Sequence, residues 1–250
     1  MRRHILLSVF ICAVLLLIAT YSSTLWAQQQ GPSTGVRVYQ SGAVKESVMF
    51  SFERSGLPVP KYSLALWEFG EGHYGGEEVP PGAQPFDPPP VAQPFGMKIF
   101  YISPATAANV FARARQLKRF NIPCASTAKN VADTGKKTLT YNGLDATTAC
   151  TYDYTENKDV QTLTDIFQGI AETLDEGRKL DYLHRYDRLG MDAEMETFSR
   201  EVTDGHAIEL QTIAPTLRSI ADDADLMQRV RTRANALLTL VPAQSRQAAQ

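Results

Sequence analysis

The period of the hydrophobic pattern changes near residue 157, and this change constrains the fold more than any other feature. Before it, short segments alternate apolar and polar residues, which is typical of half-buried strands. After it, apolar residues recur at helical spacing. Strands followed by helices favour an α+β fold, in which a mostly antiparallel sheet with one packed helix precedes a C-terminal region of three to four helices.

The first half, residues 47–156, contains the predicted sheet. Its strand-like segments are SVMFSFER (47–54), KYSLALWEF (61–69), HYGGEE (73–78), MKIFYIS (97–103), the end of KNVADTGKKTLTY (129–141) and ACTYDYT (149–155). One helix interrupts them: Ser103 is a suitable N-cap and Pro104 a suitable first residue, because proline has no N–H that would need a helical partner.

A proline-rich stretch, residues 80–96, reads PPGAQPFDPPPVAQPFG. Proline cannot donate to a regular sheet, so the composition predicts an extended loop. Such stretches also serve as ligands for aromatic grooves, and Phe86 and Phe95 would be the anchors.

The segment KLDYLHRYDRLGMDAE, 179–194, looks like an active site at first sight. However, Leu163, Ile170, Gly177 and His184 lie seven residues apart, so His184 continues the apolar seam of a long helix. Asp187 is placed to accept its hydrogen bond. We therefore interpret this segment as structural, and we assign no catalytic residue. Gly177 is a position where the helix can break.

Three further helices are predicted within residues 157–241. The first ends near Gly205, the second covers roughly 206–221 with a kink or break at Pro215, and the third runs from about Asp223 to Val241. Its three arginines do not form a phosphate clamp, because Arg231 points away from Arg229 and Arg233. Residues 242–250 are predicted to be a disordered tail.

Cys124 and Cys150 are the two cysteines that remain once the N-terminal segment is removed. An even pair in an exported chain predicts a disulfide that links the end of the sheet-packed helix to a strand. A zinc site would have to recruit His184 and His206, and neither a C-x-x-C nor an H-x-x-x-H pair supports it. No metal site is predicted.

Residues 1–27 have the order of a secretory signal: Arg2 and Arg3, an apolar run, and a small residue at Ala27. This order predicts a periplasmic or secreted protein. The alternative is an uncleaved helix that anchors the chain, since the run is about long enough to span a bilayer. Residues 28–46 are polar and predict a flexible leader that can add one edge strand.

Charge excludes one class of partner. Removal of residues 1–27 takes away two arginines and no acid, which leaves 23 basic and 27 acidic residues. A net charge of −4 does not favour nucleic acid.

Two stretches carry a resemblance to a known group of proteins. FSFERSGLPVPKYSLALWEFGEGHYGG, 50–76, and VADTGKKTLTY, 131–141, together with the later helix, resemble uncharacterised secreted proteins of Gram-negative soil bacteria, particularly Acidobacteria. The resemblance implies an exported α+β protein, and it implies no catalytic residue.

The functional hypothesis is a non-catalytic binding or scaffold protein of the bacterial envelope. A protein partner would bind through the helical region or the proline-rich loop, and no cofactor is expected. The alternative is an unrecognised secreted hydrolase, whose catalytic carboxylates would be brought together only by the fold, so that the sequence does not place them. A third class is a protease-inhibitor or surface-adhesion role. The chain has no G-x-S-x-G, P-loop or G-x-G-x-x-G motif.

Overall fold

The structure is a computed structural model that describes residues 45–79, 91–128 and 133–241. These residues form a six-stranded antiparallel sheet and five α-helices, which confirms the α+β class. The strands are β1 Ser47–Glu53, β2 Lys61–Trp67, β3 Glu71–Glu78, β4 Gln93–Tyr101, β5 Lys136–Asn142 and β6 Thr147–Tyr152. Their order is β4-β3-β2-β1-β5-β6, so β4 and β6 are the two edges.

One face of the sheet is buried under helices, because alternate residues of each strand are apolar. The residues on this face include Val48, Phe50, Leu64, Leu66, Tyr74, Phe100, Leu139, Tyr141 and Tyr152. The opposite face carries Ser, Thr, His and a few apolar side chains, and no described helix packs on it. The sheet is therefore one layer with a covered side and an open side.

Helix α1, Pro104–Gln116, packs on the covered side through Val110 and Phe111. Ser103 is its N-cap, as predicted, and its side chain accepts a hydrogen bond from the Thr106 N–H at 3.2 Å. The Phe111 and Tyr141 rings meet with centroids 6.3 Å apart.

The chain leaves α1 through a left-handed turn, residues 118–120, whose φ angles are 52°, 56° and 67°. The Phe120 side chain is fully buried there. Four residues later, Cys124 is bonded to Cys150 of β6, with their Cα atoms 5.7 Å apart. The predicted disulfide between the end of α1 and the sheet is thus confirmed.

Helix α2, Lys158–Tyr186, has 29 residues and is continuous. Asn157 caps its N-terminus by accepting from the N–H groups of Asp159 and Val160. Phe167 stacks on Phe50 of β1 with ring centroids 5.3 Å apart.

Three helices follow: α3 Met191–Thr203, α4 Ala214–Asp222 and α5 Gln228–Leu240. A short 3-10 helix, Leu210–Ile213, precedes α4. The helix predicted over roughly 206–221, with a kink or break at Pro215, is therefore divided near that residue: Pro215 lies in the first turn of α4, where proline costs nothing. Its predicted start near residue 206 is wrong. The last helix begins at Gln228 rather than Asp223, because the Asp223 carboxylate closes a turn by accepting from the Asp225 N–H at 2.9 Å.

Two clusters of buried apolar residues lie along α2. The first combines the sheet, α1 and α2 from Val160 to Leu174. The second combines Leu180 with α3, α4 and α5. Helix α2 thus contributes to both, and the change of pattern near residue 157 marks its beginning.

The predicted proline-rich loop, 80–96, ends earlier than expected. β4 begins at Gln93, so Pro94 lies in a strand, which an edge strand tolerates because one of its sides needs no N–H donor. Residues 80–90, the signal segment 1–27, the leader up to residue 44 and the tail 242–250 lie outside the described residues. Within the described ranges, no helix is long and apolar enough to cross a membrane.

Candidate functional site

The 179–194 motif covers the end of α2, a turn and the start of α3. The His184 Nε2 atom lies 2.7 Å from Asp223 Oδ2, so the predicted acceptor, Asp187, is wrong. Asp187 is the C-cap of α2, and its Oδ1 accepts instead from the Gly190 N–H at 3.1 Å. The partner of His184 comes from a turn 39 residues later in the chain.

Asp223 has two other donors besides His184. Arg188 Nη2 lies 3.0 Å from Oδ2, and the Asp225 N–H donates to Oδ1. The hydrogen bond from His184, followed by that from the Asp225 backbone, lowers the pKa of Asp223. No described hydroxyl or thiol group hydrogen-bonds to the His184 ring. The arrangement fixes the α4–α5 turn against the end of α2, in agreement with a structural role.

Two of the three arginines of α5, Arg229 and Arg233, form ion pairs with acids of α3. Arg229 Nε lies 2.7 Å from Asp192 Oδ1, and Arg233 Nη2 lies 3.1 Å from Glu196 Oε2. A shallow, open depression between α3 and α5 has Val202, Leu237 and Leu240 in its wall. This part of the helical region offers neither a deep cleft nor a convergent set of unpaired charges.

A polar network joins the middle of α2 to β3 and β4. The Tyr74 hydroxyl donates to the Asp175 carboxylate at 2.8 Å, and Arg178 Nη2 lies 2.8 Å from Asp175 Oδ1. Arg178 also pairs with Glu78, and its guanidinium lies 3.9 Å from the centre of the Phe95 ring.

Burial perturbs the protonation of this network. It raises the pKa of Tyr74 and of Asp175, although the hydrogen bonds from Arg178 and Tyr74 oppose the change at Asp175. Burial also lowers the pKa of the nearby Lys98. Such shifts mark functional and structural networks alike. Because Tyr74 is fully buried and its hydroxyl is engaged by Asp175, we interpret this network as a fastening between helix and sheet.

The open side of the sheet carries the clearest unexplained surface. Met97, Ile99 and Tyr101 of β4 point to this side with exposed fractions of 71%, 58% and 60%. We call these three residues the β4 apolar row. Their neighbours on the same face are His73, opposite Ile99, and Trp67, whose ring centroid lies 4.5 Å from that of His73.

The β4 apolar row lies on an edge strand, whose outer side has no partner strand among the described residues. The Ile102 N–H donates to the Gly70 carbonyl at 2.9 Å, and ladder bonds alternate along an antiparallel strand. The N–H and C=O of Ile99 therefore point away from β3, toward the side where no described strand pairs. Natural edges are protected by charges, prolines or bulges. Pro94 and a bulge opposite Tyr74–Gly76 protect the first part of β4, whereas its later open-face positions are methionine, isoleucine and tyrosine.

Sequence reasoning did not find this surface. In MKIFYIS one alternating set is Met97, Ile99 and Tyr101, and the other is Lys98, Phe100 and Ile102. Both sets are largely apolar, and the set that contains the lysine is the one that faces the core, so the pattern predicts a strand without showing which face is buried. The presence of two apolar sets was itself the clue, because a strand with one covered side buries only one of them. Phe100 is 3% exposed, whereas its neighbour Ile99 is largely accessible.

Comparisons with family models, with curated proteins and with solved structures find no match to this chain. In the part of the chain that the structure describes, no group of three or more His, Cys, Asp or Glu side chains is placed to hold a metal ion.

Proposed function

We propose that this chain is an exported, non-catalytic binding protein of the bacterial envelope, periplasmic or secreted. Its partner is a protein that contributes an extended segment, which adds to the sheet along β4 and packs apolar side chains on the β4 apolar row. The observation that carries the proposal is that an edge without a partner strand, within residues 45–79, 91–128 and 133–241, coincides with three exposed apolar side chains.

The chemistry of the partner follows from the edge. A strand that pairs with β4 accepts a hydrogen bond from the outward N–H of Ile99 and donates one to its C=O. It also needs apolar side chains at alternate positions to cover Met97 and Tyr101. An exposed apolar set of this kind on a soluble domain commonly marks an interaction surface. Contacts through the helical region or the proline-rich stretch remain predictions from the sequence.

Export is supported by two observations. The N-terminal residues have the order of a signal segment, and the Cys124–Cys150 disulfide fits an oxidising compartment.

Site-specific photo-crosslinking in cells that export the protein tests the proposal. A crosslinking amino acid at position 97 should give one discrete adduct with another protein, and the same probe at Thr151 should not. Thr151 is the matched control, since it is exposed and faces the same side from the opposite edge strand β6. Ile99→Pro should abolish the adduct, because proline removes the outward N–H that a paired strand needs. If side chains alone held the partner, the crosslinker at position 97 would still reach it in this variant.

Each other outcome is informative. Equal adducts from positions 97 and 151, or no adduct from either, would overturn the proposal. An adduct of twice the mass of the chain would identify the partner as a second copy. If Ile99→Pro lowers the melting temperature, Ile99→Lys replaces it in the test. The lysine variant leaves the backbone intact and removes only the apolar side chain.

A secreted hydrolase is the second candidate, because His184 and Asp223 form an imidazole–carboxylate pair of the kind that orients a catalytic base. The proposed binding function expects no turnover in a broad hydrolase screen. It also expects His184→Leu to lower the melting temperature by about 2–4 °C, through the lost hydrogen bond. Turnover that this variant abolishes at an unchanged melting temperature would favour the hydrolase instead.

A further inference from the structure

Two carboxyl groups meet where α3 packs on α2. Glu176 of α2 is 8% exposed, and its Oε1 atom is buried without a hydrogen-bond partner. Glu194 of α3 is within hydrogen-bonding range of the Glu176 carboxyl group. Both flank one cation: Lys179 Nζ lies 2.6 Å from Glu194 Oε2 and 4.0 Å from Glu176 Oε2.

The charges around Glu176 do not balance. Besides Glu194 and Lys179, Glu172 acts on Glu176 from one turn earlier on α2, where it is exposed. Lys98 of β4 approaches the neighbouring residue: its Nζ lies 3.9 Å from a Cβ atom built at Gly177. The 3-10 helix that packs on this part of α2, residues 210–213, contributes no titratable side chain. One ammonium group, itself 53% exposed, cannot neutralise both the buried Glu176 carboxylate and the partly buried Glu194 carboxylate, and the repulsion between the two favours one bound proton.

We propose that Glu176 and Glu194 share one proton, and that this proton holds α3 against α2, so that its loss at alkaline pH releases α3. This latch is independent of the proposed binding function.

Both ends of α3 permit such a movement. It is preceded by the turn that contains Gly190 and is followed by Gly205, whose φ of 79° is left-handed. The residues that release would expose are Met191, Met195 and Phe198, which are at most 1% exposed in the closed arrangement.

The direction of the pH effect follows from linkage. Burial and then the charge of Glu194 raise the pKa of Glu176 from 4.5 to about 8. Between these values the folded protein binds more protons than the unfolded chain, so stability falls as the pH rises. The stabilisation that this proton provides is fully present below about pH 4.5, and it is lost as the pH rises through about 8.

Amide hydrogen exchange, corrected for intrinsic rates and compared at about pH 6 and about pH 9, tests the latch in the full chain. Peptides from α3 should lose at least about tenfold in protection at the higher pH, relative to peptides from β1 and β2. Glu176→Gln should keep α3 protected at both values, since the amide is neutral. Asp165→Asn is the matched control: Asp165 is an exposed acid on the same helix, and the variant should behave as the wild type.

Carboxyl carbon NMR titration gives a second readout. The Glu176 carboxyl group should show an apparent pKa well above 4.5. The latch is rejected if α3 keeps its protection at about pH 9 in the wild type, if Glu176→Gln loses the same protection, or if the Glu176 carboxyl group shows an apparent pKa near 4.5.

Discussion

Glu209 shows how one residue can join distant parts of the chain. Its backbone is left-handed, with φ 60° and ψ 45°, a conformation that glutamate adopts only when other contacts compensate. The compensation comes from its carboxylate, which accepts from the Ser103 N–H at 2.6 Å and the Ser103 hydroxyl at 2.9 Å. It also accepts from Thr106 and Gln211. A negative charge at the N-terminus of α1 is favourable as well.

Glu209→Ala should therefore destabilise the protein by about 1.5–3 kcal/mol, because it leaves donors at the start of α1 without their charged acceptor. Urea unfolding measures this change. Glu201→Ala removes an exposed carboxylate that pairs with His206 and should cost about 0–1 kcal/mol. Equal costs for the two variants would contradict the capping role of Glu209.

The partners of single residues were the least predictable part of the molecule. His184 lies on the predicted seam, yet its acceptor is Asp223, from a turn that only the tertiary fold brings close. Glu209 carries no sequence signal, since glutamate is not a residue that favours a left-handed backbone. Spacing identifies contacts within one helix, and these two contacts join separate elements.

At the scale of elements, Gly177 sets how closely α2 can be approached. A Cβ atom built there would lie 2.4 Å from Ile213 Cγ2. The sequence suggested a break in the helix at this position, but α2 is continuous. Glycine is needed instead for the close contact with the 3-10 helix Leu210–Ile213.

Gly177→Ala should lower the free energy of unfolding by about 0.5–2 kcal/mol. The overpacking cost of about 1–3 kcal/mol outweighs the gain of about 1 kcal/mol in helix propensity. Against an Ile213→Ala background the same change should become neutral or stabilising, because the clashing methyl is gone. Additive effects in this double-mutant cycle would show that the two residues are not in contact.

The elements themselves were largely predictable, and the reason is their regular pattern. Alternation predicted β1 and β2, and Ser103–Pro104 predicted the start of α1. Leu163 and Ile170, seven residues apart, are both fully buried on α2. Pro215 indicated the break before α4 correctly, whereas Asp223 misplaced the start of the last helix, because aspartate is accepted both at helix starts and in turns. For β4, two apolar faces concealed which one meets solvent.

At the scale of the whole molecule, α2 joins the two apolar clusters into one structure. A helix of 29 residues spans roughly 44 Å, which is long enough to serve both. Two links beyond its apolar contacts reinforce the connection. The Thr173 hydroxyl donates to the Ile208 carbonyl at 2.6 Å, and Arg178 pairs with Glu78 of β3. Separate unfolding of either half would break α2 or expose one of its faces.

We therefore predict that the mature chain unfolds in a single transition at about pH 6, where the Glu176–Glu194 latch is closed. Trp67 lies in β2 and reports on the sheet by fluorescence, whereas far-UV circular dichroism is dominated by the helices, so the two signals follow the two clusters separately. Their urea curves should coincide.

Gly177→Pro, which costs about 3 kcal/mol or more in a helix interior, should separate the two curves, because it interrupts α2 between the clusters. Lys158→Pro is the matched control: Lys158 is the first residue of α2, where proline is tolerated, and the helix remains continuous. Separate curves in the wild type would mean that α2 does not couple the two halves.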